Sequence, residues 1–385
     1  MATNPFIARS GIDPKVFVGR DEELAFFKED RLKNLLDGRC LHYAITGSWG
    51  VGKTILLRQI KAVAQQEGVW APQFSLRRFR PSETSSYFAQ HILGNAAAEL
   101  PVEKKPLKRK LTGAGGSVLG FGLQFSFSDP ALNAAKDPQV LLRDGLLEIY
   151  EHAISNRAKA LILLLDDIQN LLDGGVDLTL FRNVLTDPRI AGKLKLLVIV
   201  SSTSAGWEPF LEMDHPIGRL FMPRREIGRL SEAEVHTLIR KSLGGTGISF
   251  DKPLQDAVFE TTKGHVFEVQ ALCEALFDMQ IGGRVTMDAW EPALQHTLLA
   301  LADAQFTSML SKASEQEQTV LAILAESRVE LGPADIKTKL PGVGNPAMIL
   351  RRLVDKGLAE NPKRGAFILP DRLFAEFVLT KVQQK

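Results

Sequence analysis

The feature that most constrains this chain is the octapeptide Gly47-Ser48-Trp49-Gly50-Val51-Gly52-Lys53-Thr54. Leu41 to Thr46 before it reads as a short buried strand, and Ile55 to Gln66 after it as a helix. A GxxxxGK[ST] loop in that setting works through its backbone. Glycines let successive N–H groups converge on phosphate oxygens. The helix that follows, opened here by Ile55, points the positive end of its dipole at the same anion. Lys53 is expected to reach the β- and γ-phosphates of a nucleotide, and Thr54 to place its hydroxyl on Mg2+. The strand–loop–helix order demands an α/β fold built on a parallel sheet, a P-loop NTPase core.

The second half of such a site is an acidic pair ending a buried strand. Leu161-Ile162-Leu163-Leu164-Leu165-Asp166-Asp167 supplies it. Asp166 is expected to hold Mg2+ through its water shell, and Asp167 to polarise the attacking water. Leu194 to Val200 is another apolar run of strand length, ending in Ser201-Ser202-Thr203. Thr203 is the hydroxyl expected to contact the γ-phosphate or orient water. ATP or ADP and Mg2+ are therefore the expected cofactors, and hydrolysis of ATP the expected reaction.

Composition narrows the partners. The net charge of +2 is nearly neutral, so any nucleic-acid role must come from a local patch rather than from bulk charge. Cys40 and Cys273 are the two cysteines. They lie far apart, without a CxxC or a His/Cys cluster, which argues against zinc or a disulfide framework and fits a reducing cytosol. No basic segment followed by an apolar run is seen at the N-terminus, so no signal peptide is expected. The apolar runs are too short to span a bilayer. The expectation is a cytoplasmic protein without a membrane partner.

Three parts are expected along the chain: a nucleotide core over 1–225, a helical lid over 226–310 and a small domain over 311–385. Residues 1–15 read as a loosely held arm. Asp21 to Leu36 and Val140 to Ala158 have helical spacing. An insertion at about 103–130 begins with the basic run Lys104-Lys105-Pro106-Leu107-Lys108-Arg109-Lys110 and continues into Gly-rich, alternating sequence suited to a β-hairpin. That run is either a solvated loop or a second contact for DNA phosphates. A GxGxxG-like spacing in the insertion follows no clear strand and opens no clear helix, so it is set aside as a nucleotide site.

In the last part, Ser314 caps a helix with Glu317 three residues on. Gly332-Pro333 starts a second helix, and Asn345 caps a third, Pro346 to Lys356, with proline at the favourable first position. Asn361 to Gly365 turns between two short strand-like pieces. Helix, helix, turn, helix, hairpin is the order of a winged helix. If it binds double-stranded DNA, the third helix offers Arg351, Arg352 and Lys356 to the groove, and the hairpin tip offers Lys363 and Arg364 to the backbone. The same fold also serves as a protein-docking module.

Taken in order, these parts resemble the AAA+ and STAND-type ATPases, especially the branch of origin-recognition initiators and archaeal-type ATPases. Phe17-Val18-Gly19-Arg20-Asp21-Glu22-Glu23-Leu24 is similar to the FVGRxxEL box of that branch. The resemblance implies that Val18, Gly19 and Arg20 help bracket the adenine. Ile227 to Glu234 resembles the entry to the family's helical lid, and Thr261 to Gln270 its TxGHPxxLQ helix start, with Val266 in place of the proline. The C-terminal part resembles the winged helix of the same branch. Asp167 stands where many members carry Glu, which implies slow hydrolysis. No arginine occupies the lid's sensor-2 position, which favours a STAND-like switch or a transposition-regulator-like ATPase. An oligomer would need an arginine finger acting in trans, for which Arg219, Arg224 and Arg225 lie after the last strand, Leu194 to Val200, and before the lid.

Three functions are compatible with these features. One is a nucleotide-controlled DNA-binding ATPase, and another a switch that recruits protein partners without DNA. The third, a small-molecule kinase, leaves the lid and the C-terminal part without a role.

Overall fold

The computed structural model describes residues 3–9, 12–79, 85–99, 137–172, 178–213, 217–369 and 371–382. The insertion expected at about 103–130, with its basic run, lies outside these residues. The chain divides into two compact units: Arg20–Gly228, and Met1–Gly19 together with Arg229–Lys385.

The unit Arg20–Gly228 is built on a five-stranded sheet: β1 (Tyr43–Thr46), β2 (Gln73–Ser75), β3 (Leu161–Asp166), β4 (Leu196–Ser202) and β5 (Arg224–Glu226), in the order β2-β3-β4-β1-β5. Every adjacent pair is parallel. The carboxyl ends therefore share one edge, where the loops after β1, β3 and β4 meet. β3 and β4 are buried along their whole length, as strands covered on both faces must be. On one face, Leu161, Leu163 and Leu165 join Val198 and Val200 in a core closed by Phe88, Ile92 and Leu93 of α3 (Ser85–Ala98), Leu142, Leu146 and Ile149 of α4 (Pro138–Ser155) and Phe181 and Val184 of α5 (Leu178–Thr186). Asp137 caps α4 by accepting from the N–H groups of Gln139 and Val140.

The helix expected over 21–36 is continuous but uneven. α1 (Asp21–Phe26) passes through a wider π-helical stretch, Phe27–Leu32, into Lys33–Leu36. α2 (Lys53–Gln66) buries Leu56, Leu57, Ile60 and Ala64, one stripe at helical spacing. β5 corrects the expectation that Leu194 to Val200 is the last strand: Arg224 and Arg225 belong to a further strand, registered against Ala44 and Ile45 of β1.

The second unit is mainly helical. α7 (Glu232–Leu243), α8 (Lys252–Thr262), α9 (Val266–Asp278) and α10 (Trp290–Leu301) accompany a short parallel pair, β6 (Ser249–Phe250) with β7 (Arg284–Val285). α7 opens with a complete capping box between Ser231 and Glu234. Residues 3–9 are not the loose arm expected. Phe6 is fully buried against Phe250 and Phe277, Asn4 donates to the Glu274 carbonyl at 2.9 Å, and the Ile7 N–H reaches Gln270 Oε1 at 3.1 Å. The large ring, whose burial contributes about 2–3 kcal/mol, holds the segment down.

The same unit ends in α11 (Glu315–Ser327), α12 (Pro333–Lys339), α13 (Pro346–Asp355), the antiparallel pair β8 (Glu360–Lys363) and β9 (Ala366–Ile368), and α14 (Arg372–Val382). Ser314 and Glu317 form a full capping box, and Asn345 caps α13 by accepting from the Met348 N–H. α14 was not expected from the sequence. Its Leu373, Phe374, Phe377 and Val378 are buried in the core that also holds Val320, Leu321 and Leu324 of α11.

Candidate active site

The loop between β1 and α2 brings the motif residues to the carboxyl edge of the sheet. Gly47 and Gly52 are needed there for different reasons. A Cβ on Gly47 would lie 2.5 Å from the Ile227 carbonyl oxygen, and Gly52 takes φ +99° where the helix begins. The first turn of α2 carries no acidic side chain of its own to compete with an anion at its N-terminus. Val51 is buried, Ser48 and Trp49 are exposed, and Gly50 and Ile55 are half-buried.

Lys53 is only 7% exposed, and its ammonium donates to the carbonyls of Gly47 (2.9 Å) and Ser48 (2.7 Å). Burial lowers its pKa, while Asp166 and Asp167 act against that shift. The lysine head is thus folded into the loop whose ligand it is suited to meet.

Thr54 donates its hydroxyl to Asp166 Oδ2 at 2.5 Å. Asp166 is 2% exposed and its other oxygen accepts from the Ser201 hydroxyl in a very short contact. Burial raises the Asp166 pKa; the hydrogen bonds from Ser201 and Thr54 oppose this, Asp167 adds to it and Lys53 opposes it. Two oxygen ligands, one a buried carboxylate short of positive charge, suit a hard divalent cation such as Mg2+. Asp167 follows in a left-handed conformation, φ +59° and ψ +46°. Its N–H donates to Ser201 Oγ at 3.1 Å, and its Oδ1 accepts from Gln169 Nε2 at 2.9 Å.

Thr203, the hydroxyl expected at the phosphate, has a role within the fold. Its hydroxyl caps α6 (Ser204–Glu212), accepting from the Gly206 N–H at 3.0 Å. Ser201, two residues earlier, is the strand-end hydroxyl that touches the acidic pair. The sequence reading missed Ser201 and Gln169. Ser201 lies in a hydroxyl run with no internal signal of which member faces β3, and Gln169 has only its nearness to Asp167.

Of the FVGR segment, Arg20 belongs to the sheet unit. It is 7% exposed, and Nη2 donates to the carbonyls of Val51 (3.0 Å) and Gly228 (2.6 Å), fixing the backbone of the phosphate loop. Val18 and Gly19 belong to the other unit, where Val18 packs against its helical core. A Cβ on Gly19 would meet the Leu230 side chain at 2.5 Å.

Residues 16–199 match the family model of the AAA ATPase domain. The chain carries an AAA ATPase domain. Its fold is similar to that of the ORC2 protein of Aeropyrum pernix in ADPNP–ADP complexes, with TM-score 0.66 at 15% identity, covering 98% of this chain and 96% of that one. It is equally similar to a Walker-type ATPase of Pyrococcus abyssi, with TM-score 0.66 at 15% identity, covering 94% and 96%. No curated protein matches the chain significantly in sequence. Among the described residues no helix is long and apolar enough to cross a membrane.

The remaining candidates lie outside the P-loop of the AAA ATPase domain. Arg224 pairs with Glu208 at 2.7 Å, and Arg225 lies over the Phe26 ring at 4.9 Å, so both already have partners within the unit Arg20–Gly228. Arg219 is exposed. In the C-terminal segment Arg351 and Arg352 are exposed on α13, opposite its buried Ile349, Leu350 and Leu353. Lys356 is drawn away by Glu317, a buried carboxylate 2.6 Å from its Nζ. Lys363 pairs with Glu330 at 2.6 Å, and Arg364 is exposed at the hairpin turn.

Proposed function

We propose that this protein is an ATP-hydrolysing switch whose nucleotide state controls binding to double-stranded DNA through a winged-helix domain at 311–385. The observation that carries the nucleotide part is the direct Thr54–Asp166 contact, with Lys53 in the loop beside it and Asp167 next in the chain. The N–H groups of 47–54 and Lys53 take up phosphate charge. Thr54 and Asp166 would hold Mg2+, which when bound neutralises charge on the β- and γ-phosphate oxygens. Asp167 orients a water and accepts its hydrogen bond. The water oxygen bonds to the γ-phosphorus as the bond to the bridging oxygen breaks, ADP leaves with that electron pair, and the proton the water gives up passes by way of Asp167 to solvent. Aspartate is shorter than glutamate by a methylene, which fits slow turnover. Arg219 is the arginine-finger candidate for an assembly of copies of this chain.

Support for DNA binding comes from the exposed Arg351 and Arg352 on α13 and Arg364 at the hairpin. Such side chains suit base edges and phosphates. A second reading, a cytoplasmic switch that recruits proteins instead, draws support from the ion pairs of Lys356 and Lys363 and from the net charge of +2. Titration of labelled duplex DNA with ATP, with ADP and without nucleotide, across a salt series, separates them. The first reading expects nucleotide-dependent, salt-sensitive binding; no binding in any state favours the second. Lys53→Ala is expected to abolish tight nucleotide binding, and unchanged affinity would remove the P-loop assignment itself.

A further inference from the structure

We infer that Gln169 is a positioning residue for ATP hydrolysis: it holds the Asp167 carboxylate in one orientation, so that the free carboxylate oxygen faces the attacking water. This rests on the reading of Asp167 as the acid that orients water.

Three observations carry it. First, Gln169 Nε2 donates to Asp167 Oδ1 at 2.9 Å, which occupies one oxygen and leaves Oδ2 for another partner. Second, the backbone of Asp167 is independently fixed. Its left-handed conformation is unusual for a residue with a Cβ, and its N–H is held by Ser201, whose hydroxyl also touches Asp166. With the backbone pinned at one end and the carboxylate at the other, the Asp167 side chain keeps little torsional freedom. Third, the fold makes room for the glutamine. A Cβ on Gly206 would lie 2.7 Å from Gln169 Cβ, 3.1 Å from its Cγ and 2.6 Å from Thr203 Oγ1. The start of α6 is therefore shaped around both Gln169 and the Thr203 cap.

The chemistry explains why a short acid benefits. A carboxylate that orients water contributes only while it points at the oxygen that attacks phosphorus. Aspartate has fewer torsions than glutamate but also less reach. A fixed amide donor removes the rotamers in which Asp167 would turn away.

The test is kinetic and uses the full-length chain. Gln169→Ala is expected to lower kcat for ATP hydrolysis by about tenfold or more, with ATP affinity and thermal midpoint close to wild type. Gln169→Glu sets a carboxylate against Asp167; its turnover is low at neutral pH and recovers as pH falls and the introduced carboxyl protonates. Gly206→Ala crowds Gln169 without altering its amide and is expected to lower kcat as well. Adding Gln169→Ala to Asp167→Asn gives no further loss if Gln169 acts only through Asp167. Wild-type turnover in Gln169→Ala, where Asp167→Asn is impaired, overturns this inference and leaves the role of Asp167 standing. Wild-type turnover in Asp167→Asn removes both. A parallel fall of kcat, ATP affinity and thermal midpoint in Gln169→Ala, or an additive loss in the double variant, assigns Gln169 a purely structural part and overturns the inference.

Discussion

At the scale of single residues, His42 shows how burial fixes a charge state. It precedes β1, is 9% exposed, and its Nδ1 accepts from the Val198 N–H of β4 at 3.0 Å. An acceptor nitrogen must be unprotonated. Burial, reinforced by Arg31, lowers its pKa from 6.5 to about 4. The unfolded chain therefore takes up a proton near pH 6.5 that the folded chain refuses until about pH 4. The stability His42 confers is fully present above 6.5 and is lost as pH falls through that window, by up to roughly 3 kcal/mol. His42→Asn retains an acceptor without the titration. Urea midpoints measured from pH 7 to pH 4 should fall less steeply for the variant than for wild type, and equal slopes would show that His42 is not the group responsible. Nothing in the sequence marked His42. Its role depends on β4 passing beside it, a contact of high sequence separation.

At the scale of elements, the strand–loop–helix and the acidic strand were legible because each is a continuous apolar run with an abrupt polar end. β2 and β5 were not. Gln73-Phe74-Ser75 and Arg224-Arg225-Glu226 are short edge strands with few buried positions, so they lack the apolar run that marks β3 and β4. The same reasoning separates Ser201 from Thr203, since only the pairing of β4 with β3 decides which hydroxyl reaches Asp166. The segment Thr261 to Gln270 was picked out as a family pattern, and the structure gives its glycine a physical reason. Gly264 has φ +76°, and a Cβ there would lie 1.9 Å from the Leu230 carbonyl oxygen, while its own carbonyl accepts from the Leu230 N–H at 2.9 Å. Gly264→Ala combines backbone strain with a backbone clash and should lose roughly 2–5 kcal/mol of stability. Gly245→Ala makes the comparison clean: φ is +78° but nothing lies within 4 Å, so only strain of about 1–2 kcal/mol applies. Equal losses in a denaturant titration of the two variants would show that the approach to Leu230 is not what demands glycine.

At the scale of the whole molecule, a net charge of +2 means that any DNA affinity must be concentrated in a few side chains. The five basic residues picked from the sequence divide by their surroundings. Lys356 neutralises the buried Glu317, so Lys356→Ala should destabilise the protein by about 3 kcal/mol through a stranded carboxylate, whatever it does to DNA. Arg351 and Arg352 are exposed, and reversing both to Glu should leave the thermal midpoint nearly unchanged. If α13 meets DNA, that double variant should lose at least about tenfold in affinity and show a salt dependence shallower by roughly two phosphate contacts. The nucleotide then supplies an independent check. Because coupling between two ligands is reciprocal, the factor by which ATP changes DNA affinity must equal the factor by which DNA changes ATP affinity. Measuring both in wild type and in the Arg351→Glu, Arg352→Glu variant distinguishes a lost contact from a lost switch. A lost contact weakens DNA binding in every nucleotide state and preserves the ratio. A loss of the ratio alone, with DNA still bound, would place the arginines in the coupling rather than on the duplex, and unchanged DNA binding would leave protein recruitment as the function of the C-terminal segment.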